Sequence, residues 1–149
     1  MKIKICQFTI LIFVSILLNS CGPTSSKDYQ TLAISEMNSF TLLLKKINDP
    51  CDLKKNQKKI KAHFNDLSKI MIDYRTFLEK HPEASEKPSD RSHYAAAMLK
   101  EELYRIYELD GATQILEDAQ KDAYIKVSLF EHSLTQEKID MFKSNKPLF

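Results

Sequence analysis

Five lysines within eight consecutive positions form the densest group of ionisable side chains in this sequence. They are Lys54, Lys55, Lys58, Lys59 and Lys61. At 100° per residue in an α-helix, these side chains fall within about 160° of arc, opposite the apolar residues of the same segment. Each lysine held near an anionic surface contributes about 1 kcal/mol to binding. The cluster therefore predicts a site for an acidic protein partner or for anionic headgroups, with an ordinary solvated helix face as the alternative.

Cys51 lies three residues before this cluster, in the first turn of the same predicted helix. Backbone N–H groups at a helix N-terminus favour a thiolate. Lys54 and Lys55 act in the same direction, and Asp52 acts against it. We therefore treat Cys51 as a candidate reactive thiol, able to form an intermolecular disulfide or to respond to oxidants. An idle, unpaired cysteine is the alternative.

The other residue patterns argue against the common catalytic and metal-binding sites. The four histidines occur in no His-Glu-x-x-His or Glu-x-x-His pattern, and no Cys-x-x-Cys-His sequence is present for covalent haem. Serine-hydrolase, P-loop and dinucleotide-binding motifs are also missing. We therefore predict a protein without enzymatic activity, metal or cofactor. Tyr94, Tyr104 and Tyr107 are candidates for a ligand groove or an interface, or else for the rim of a helical core.

Helical periodicity runs through most of the chain that must position these residues. Apolar side chains recur at steps of three and four, and Asp49-Pro50 and Asp110-Gly111 are typical of a helix start and a helix end. A possible capping box, Ser133 to Gln136, predicts one more helix start. The predicted helices are 28–47, 50–80, 90–109 and 112–131, followed by a short helix that includes Ile139 and Phe142.

These elements predict an all-α fold, an elongated up-down helical bundle of about four main helices plus a short C-terminal helix. A β-strand is the alternative interpretation of residues 124–130, because polar and apolar side chains alternate there. We favour a helix at this position, since every flanking segment is helical and a lone strand would have no partner.

The N-terminal segment carries a targeting pattern. Lys2 and Lys4 precede 14 uncharged and mostly apolar residues, and this run ends at Leu18-Asn19-Ser20-Cys21. A membrane-spanning helix needs about 20 apolar residues, so the run suits the apolar region of a signal peptide better than a permanent anchor. A Leu-x-Ser-Cys sequence directly after such a run resembles the lipobox of bacterial lipoproteins, although Asn19 is a departure from the small or apolar residue usual there. An uncleaved N-terminal anchor is the alternative.

The resemblance implies that residues 1–20 are a signal peptide and that Cys21 carries diacylglycerol on its sulfur. Residues 21–27 would then be the lipidated cysteine and tether, and 28–149 a single helical domain. Two or more acyl chains make such attachment durable. Gly22 stands where many inner-membrane lipoproteins of Gram-negative bacteria have aspartate, which by analogy favours the outer membrane.

The charge balance of the chain argues against nucleic acid as a partner. The chain has 22 basic and 20 acidic residues, and Lys2 and Lys4 lie in the signal segment, so the mature chain is formally neutral. A neutral chain outside the cytosol is a poor ligand for nucleic acid, which needs a net basic surface. Residues 27–81 nevertheless carry a net charge of +4 and residues 82–122 a net charge of −5. This segregation predicts helix pairing within the bundle, or two poles for partners.

Together these patterns predict a small, membrane-anchored bacterial envelope lipoprotein, placed near the membrane by its anchor. We expect it to act as a binding or structural interaction module. Its contact would be the lysine cluster of the second helix, close to the anchor, or the tyrosine-rich third helix. The alternative is a periplasmic helical bundle that binds a small ligand or a metal in its core. The sequence leaves open the partner, the oligomeric state, and periplasmic or surface display.

Overall fold

The computed structural model describes residues 22–144, with side chains described through residue 137 and at residue 140. The predictions for the signal segment, for Cys21 and for residues 145–149 lie outside this part of the chain. Four α-helices make up the fold: α1 (Ser26–Leu44), α2 (Pro50–Lys80), α3 (Asp90–Tyr107) and α4 (Ala112–Ser144). A short 3-10 turn, Pro82–Ala84, follows α2. The predicted all-α class is confirmed, and residues 124–130 are helical.

The first three helices begin at side chains that satisfy their free N–H groups. Ser25 and Asp28 form a capping box at the start of α1, which begins two residues earlier than the apolar pattern predicts. Asp49 accepts from the N–H of Asp52 at 2.8 Å and so caps α2, as predicted. Ser89 caps α3 in the same way. Because each cap fixes where a helix starts, the connections between helices are short and defined.

The fourth helix differs from the prediction, because it is continuous from Ala112 to Ser144. The hydroxyl of Ser133 donates to the carbonyl of Phe130, and that of Thr135 donates to the carbonyl of Glu131. Both side chains therefore bond back along a helix that continues, as Ser and Thr do inside helices. The capping box and the separate short helix predicted from residue 133 onward are wrong.

The helices alternate in direction along the chain. Gln30 near the start of α1 bonds the connection before α3, while Arg105 near the end of α3 bonds the end of α1, so α1 and α3 run parallel. Lys61 pairs with Asp122 and Arg75 with Glu131, so α2 and α4 also run parallel. The contacts that join the four helices are mainly those of α1 with α2 and α3, and of α2 with α4. With 31 residues, α2 is about 46 Å long, which makes the bundle elongated.

The buried core is concentrated at one end of the bundle, which we call the packed end. It lies around the α1–α2 turn and the α3–α4 turn, where Gly111 takes a positive φ of 73°. Its fully or nearly fully buried residues are Phe40, Leu44, Ile47, Leu53, Ile60, Leu99, Ile106, Ala112, Leu116 and Ala119. We call the opposite end, around Ser26 and the α2–α3 connection, the open end. None of the described helices has the length and apolar composition required to span a membrane.

Candidate functional site

The predicted lysine cluster divides into two groups in the structure. Lys54, Lys55, Lys58 and Lys59 are exposed on α2, and we call these four the lysine face. Lys55 lies 3.7 Å from the carboxylate of Asp52. Within the described part of the chain, the other three lysines of the face have no acidic side chain within salt-bridge distance.

Lys61 belongs to the contact between α2 and α4 instead. Its ammonium lies 2.6 Å from the Asp122 carboxylate, with both side chains about half exposed. The hydrogen bond from Lys61, together with its positive charge, holds the pKa of Asp122 below the ordinary value. This pair joins the basic and acidic segments inside one molecule. One of the five predicted anion-binding lysines is thus engaged in helix pairing.

The lysine face lies at the packed end, remote from Gly22. The Tyr29 and Tyr74 rings are 5.4 Å apart and the Phe40 and Phe64 rings 5.0 Å apart, which sets the register of α1 against α2. In this register Leu44 at the end of α1 is level with about residue 60 of α2. The lysine face therefore begins about 27 Å along α1 from its first residue and extends farther away. The sequence predicts this face close to the N-terminal segment, whereas in the structure it lies at the opposite end of α1 from Ser26.

Cys51 is a free, exposed thiol in the first turn of α2, as the sequence predicts. Its position along α2 places it within the arc of the lysine face. It is accessible to reagents, and nothing in the described chain holds a second group against it.

The three tyrosines considered for a groove or an interface differ in their contacts. Tyr94 and Tyr104 are largely exposed, and the ammonium of Lys100 lies 5.5 Å from the centre of the Tyr104 ring. The hydroxyl of Tyr107 accepts a hydrogen bond of 2.9 Å from Gln120, which links α3 to α4.

An apolar cleft at the open end was not predicted from the sequence. Its volume is about 360 Å³, and its walls come from α1, α2, the α2–α3 connection and α3. It is lined by Tyr29, Gln30, Ala33, Leu67, Ile70, Met71, Tyr74, Glu86, Pro88 and Ser92. The signal in the sequence is the small Ala33 in the apolar stripe of α1, opposite larger side chains of α2.

The histidines and acids do not assemble a metal centre in the part of the chain that is described. No group of three or more His, Cys, Asp or Glu side chains is placed to hold an ion there. His63 pairs with Glu36 and stacks on the Phe40 ring with 4.9 Å between centroids. Its role is therefore to join α1 and α2. The cleft lies outside the buried core and is lined mainly by apolar side chains.

Comparison with models of known protein families, with curated proteins and with solved structures finds no match for this chain. The lysine face and the cleft are therefore interpreted from their own geometry and chemistry.

Proposed function

We propose that this protein is a lipid-anchored bacterial envelope protein whose lysine face binds an acidic surface of a protein partner. The observation that carries this proposal is the row of four exposed lysines on one side of α2. Three of them have no acidic neighbour within salt-bridge distance among the described residues. A group of unpaired like charges on a rigid helix is costly to leave together and is relieved by an anionic partner.

The support for the anchor is the lipobox-like sequence that ends at Cys21. A diacylglycerol group there would attach the chain to the membrane, with the outer membrane favoured by Gly22. The four residues between Cys21 and Ser26 would reach at most about 14 Å when extended. The open end would then face the membrane, and the lysine face would lie at the end of the bundle directed away from it.

This arrangement favours a protein partner over the headgroups of the membrane that holds the anchor. The electrostatic attraction of a membrane surface falls off within a Debye length, which is about 8 Å at physiological salt. The lysine face begins about 27 Å along α1 from Ser26, well beyond that length. An acidic protein in the envelope can approach this face without such a limit.

The lysines occupy exposed positions at which a partner can dock without rearrangement of the bundle. Exposed ion pairs individually contribute about 0.2–1 kcal/mol and are screened by salt. The predicted complex is therefore one of fast association and marked salt dependence rather than one of very high affinity.

The decisive experiment is crosslinking in intact cells followed by mass spectrometry, applied to a charge-reversed variant. In the variant Lys54, Lys55, Lys58 and Lys59 all become Glu. Its matched control reverses four exposed lysines elsewhere, Lys27, Lys80, Lys87 and Lys121, and so has the same net charge. Crosslinks to an acidic partner should disappear in the first variant and persist in the control, while both keep the helical content of the original protein. Persistence in both would refute the lysine face as the contact.

Two further measurements separate the parts of the proposal. Intact mass of the protein purified from its own host should show loss of residues 1–20 and acyl groups on Cys21. A mass that retains Met1 without acyl groups would refute the anchor and leave the face untouched. Binding to vesicles of phosphatidylethanolamine and phosphatidylglycerol at a ratio of about 7:3 should be weak. Strong binding that the charge reversal abolishes, with no protein crosslinked, would identify headgroups as the partner instead.

A further inference from the structure

The apolar cleft at the open end is a second candidate site, separate from the lysine face. Its volume of about 360 Å³ falls within the range of small-molecule sites, which are concave, mostly apolar and largely preformed. The lysine face lies at the other end of α2, so neither site depends on the other. An occupant of the cleft would be a small molecule rather than a protein surface.

Hydrogen bonds from α1 hold the wall of the cleft that the α2–α3 connection contributes. The Gln30 amide donates to the carbonyl of Lys87 and accepts from the N–H of Ser89, both at 3.2 Å. The buried hydroxyl of Ser26 donates to the carbonyl of Ala84. The connection is therefore fixed against α1 at both of its ends. The cleft is a feature of the folded chain and does not require a ligand to form.

The walls of the cleft expose apolar surface that the protein does not cover. Met71 is 39% exposed, and the partly buried Leu67 and Ile70 line the same side. The Tyr29 and Tyr74 rings also line the cleft, with 5.4 Å between their centroids. The Gln30 amide is already engaged in the hydrogen bonds of the connection. The body of any ligand must therefore be apolar, because burial of apolar surface is the gain that this site offers.

Among the described residues, Glu86 is the one charged side chain that lines the cleft. It determines which head group the ligand should carry. Glu86 is exposed, and the remaining lining residues are uncharged. A carboxylate at the edge of an apolar site attracts a cation and repels an anion, and a cation is also favoured near the faces of tyrosine rings. We propose that this cleft binds a small cationic amphiphile, with its apolar body between α1 and α2 and its amine beside Glu86.

The test uses two probes with the same body and opposite charge, 3-phenylpropylamine and 3-phenylpropanoate. The full-length protein, labelled with ¹³C at the methionine methyl groups, is reconstituted in lipid nanodiscs and titrated with each probe. The Met71 methyl signal, assigned with Met71→Leu, reports occupancy of the cleft and not partition of the probe into lipid. The amine should shift this signal saturably, with a Kd about fivefold below that of the carboxylate.

Three variants make the result specific. Glu86→Gln alters an exposed side chain and should remove the preference for the amine. Ala33→Phe should fill the cleft and abolish the shift with either probe. Ala62→Phe makes the same change at an exposed position of α2 and should leave the titration unaltered. Circular dichroism of each variant verifies its helical content.

Three results would overturn the proposal. Absence of a saturable Met71 shift with either probe would show that the cleft is not a ligand site. A carboxylate that binds as well as the amine, or a preference that survives Glu86→Gln, would refute the assignment of the cationic head. Because Glu86 is exposed, its variant remains informative even if Ala33→Phe fails to fold.

Discussion

The two ends of the bundle use the same kind of helix to different effect. At the packed end, α1 presents Phe40 and Leu44, both fully buried. At the open end, the same face of α1 presents Ala33 and Ser26. The first pair fills the space between helices, whereas the second leaves a cleft and a polar contact to the α2–α3 connection. Side-chain volume along a single stripe therefore separates a region that stabilises the fold from a region that can accept a ligand.

The two ends also differ in the charged residues at their surfaces. The packed end carries the lysine face on its outer surface, over an apolar core beside which the side chain of Thr41 is also buried. At the open end the charged residue of interest is Glu86, which lies at an apolar surface. In the functions proposed above, one end makes a long-range contact with an acidic protein and the other a short-range contact with a small ligand. Stability and binding should respond to mutation differently at the two ends.

The largest contrast is expected from the same substitution at each end. Leu44→Ala removes a fully buried side chain and should lower the free energy of unfolding by about 3 kcal/mol, since a cavity remains in a tightly packed region. Leu67→Ala removes a partly buried side chain that lines the cleft and only borders the core, so it should lower the free energy of unfolding by about 1 kcal/mol. Chemical denaturation followed by circular dichroism measures both values. Equal losses would contradict the division into a packed and an open end.

A smaller effect is expected from Arg105, which binds carbonyl groups at the C-terminal end of α1. The guanidinium of Arg105 donates to the carbonyls of Leu44 at 2.7 Å and Ile47 at 3.0 Å. These carbonyls end a helix and have few other donors. Lysine cannot donate to both with fixed geometry. Because the Arg105 side chain is 41% exposed, Arg105→Lys should lower the free energy of unfolding by about 1 kcal/mol.

The matched control for Arg105 is Arg75, which pairs with Glu131 at 2.7 Å. Both side chains of this pair are about half exposed, so Arg75→Lys should change stability by less than about 0.5 kcal/mol. The same denaturation experiment applies. A larger loss from Arg75→Lys than from Arg105→Lys would show that the α2–α4 ion pair outweighs the closure of α1.

Two buried serines, one as variant and one as control, give the corresponding stability test for the open end. The buried hydroxyl of Ser26 donates to the carbonyl of Ala84 and accepts from the hydroxyl of Tyr74. Ser26→Ala should lower the free energy of unfolding by about 1 kcal/mol, because both partners lose a hydrogen bond. Ser68 is equally buried but donates to Asn65 within its own helix, so Ser68→Ala should have almost no effect. A neutral Ser26→Ala would show that the connection is held by other contacts.

The sequence predicts the elements well because their signals are local. Asp49-Pro50 begins α2 as predicted. Gly111 has the positive φ expected of it in the α3–α4 turn, but α3 ends at Tyr107 and not at the predicted residue 109. The error after residue 133 is also local in origin, since Ser133 and Thr135 can cap a helix or bond back along it. Only the continuation of α4 decides between these two uses.

The features of the candidate sites that escaped prediction depend on distant residues. Lys61 is not part of the lysine face because its ammonium pairs with Asp122, which lies 61 positions later in the sequence. The cleft exists because Gln30 holds a connection more than 50 residues away in sequence. Helical periodicity gives the side of α2 on which a lysine lies, but not which helix packs there. The position of the lysine face relative to Gly22 required the register of α1 against α2.

The smallest expected effect concerns two aspartates whose pKa values are lowered for different reasons. At the open end, hydrogen bonds from the Ser25 side chain and the Thr24 N–H lower the pKa of Asp28. On α4, the hydrogen bond and charge of Lys61 lower the pKa of Asp122. Because both values lie below those of the unfolded chain, each group stabilises the fold above the unfolded pKa. That contribution is lost as the pH falls through the folded pKa, from about pH 4 downward.

Salt should separate the two aspartates, because hydrogen bonds from neutral groups are less sensitive to ions than an exposed charge pair. A ¹³C NMR titration of the carboxyl groups should give pKa values below the ordinary value of 3.8 for both residues. Raising the salt concentration from about 0.01 M to about 1 M should move Asp122 back toward 3.8 and leave Asp28 nearly unchanged. Lys61→Met should reproduce the effect of salt on Asp122 alone. An equal salt response at both positions would mean that Asp28 is held by charge, and that the contrast between a hydrogen-bonded open end and a charge-paired α2–α4 contact does not hold.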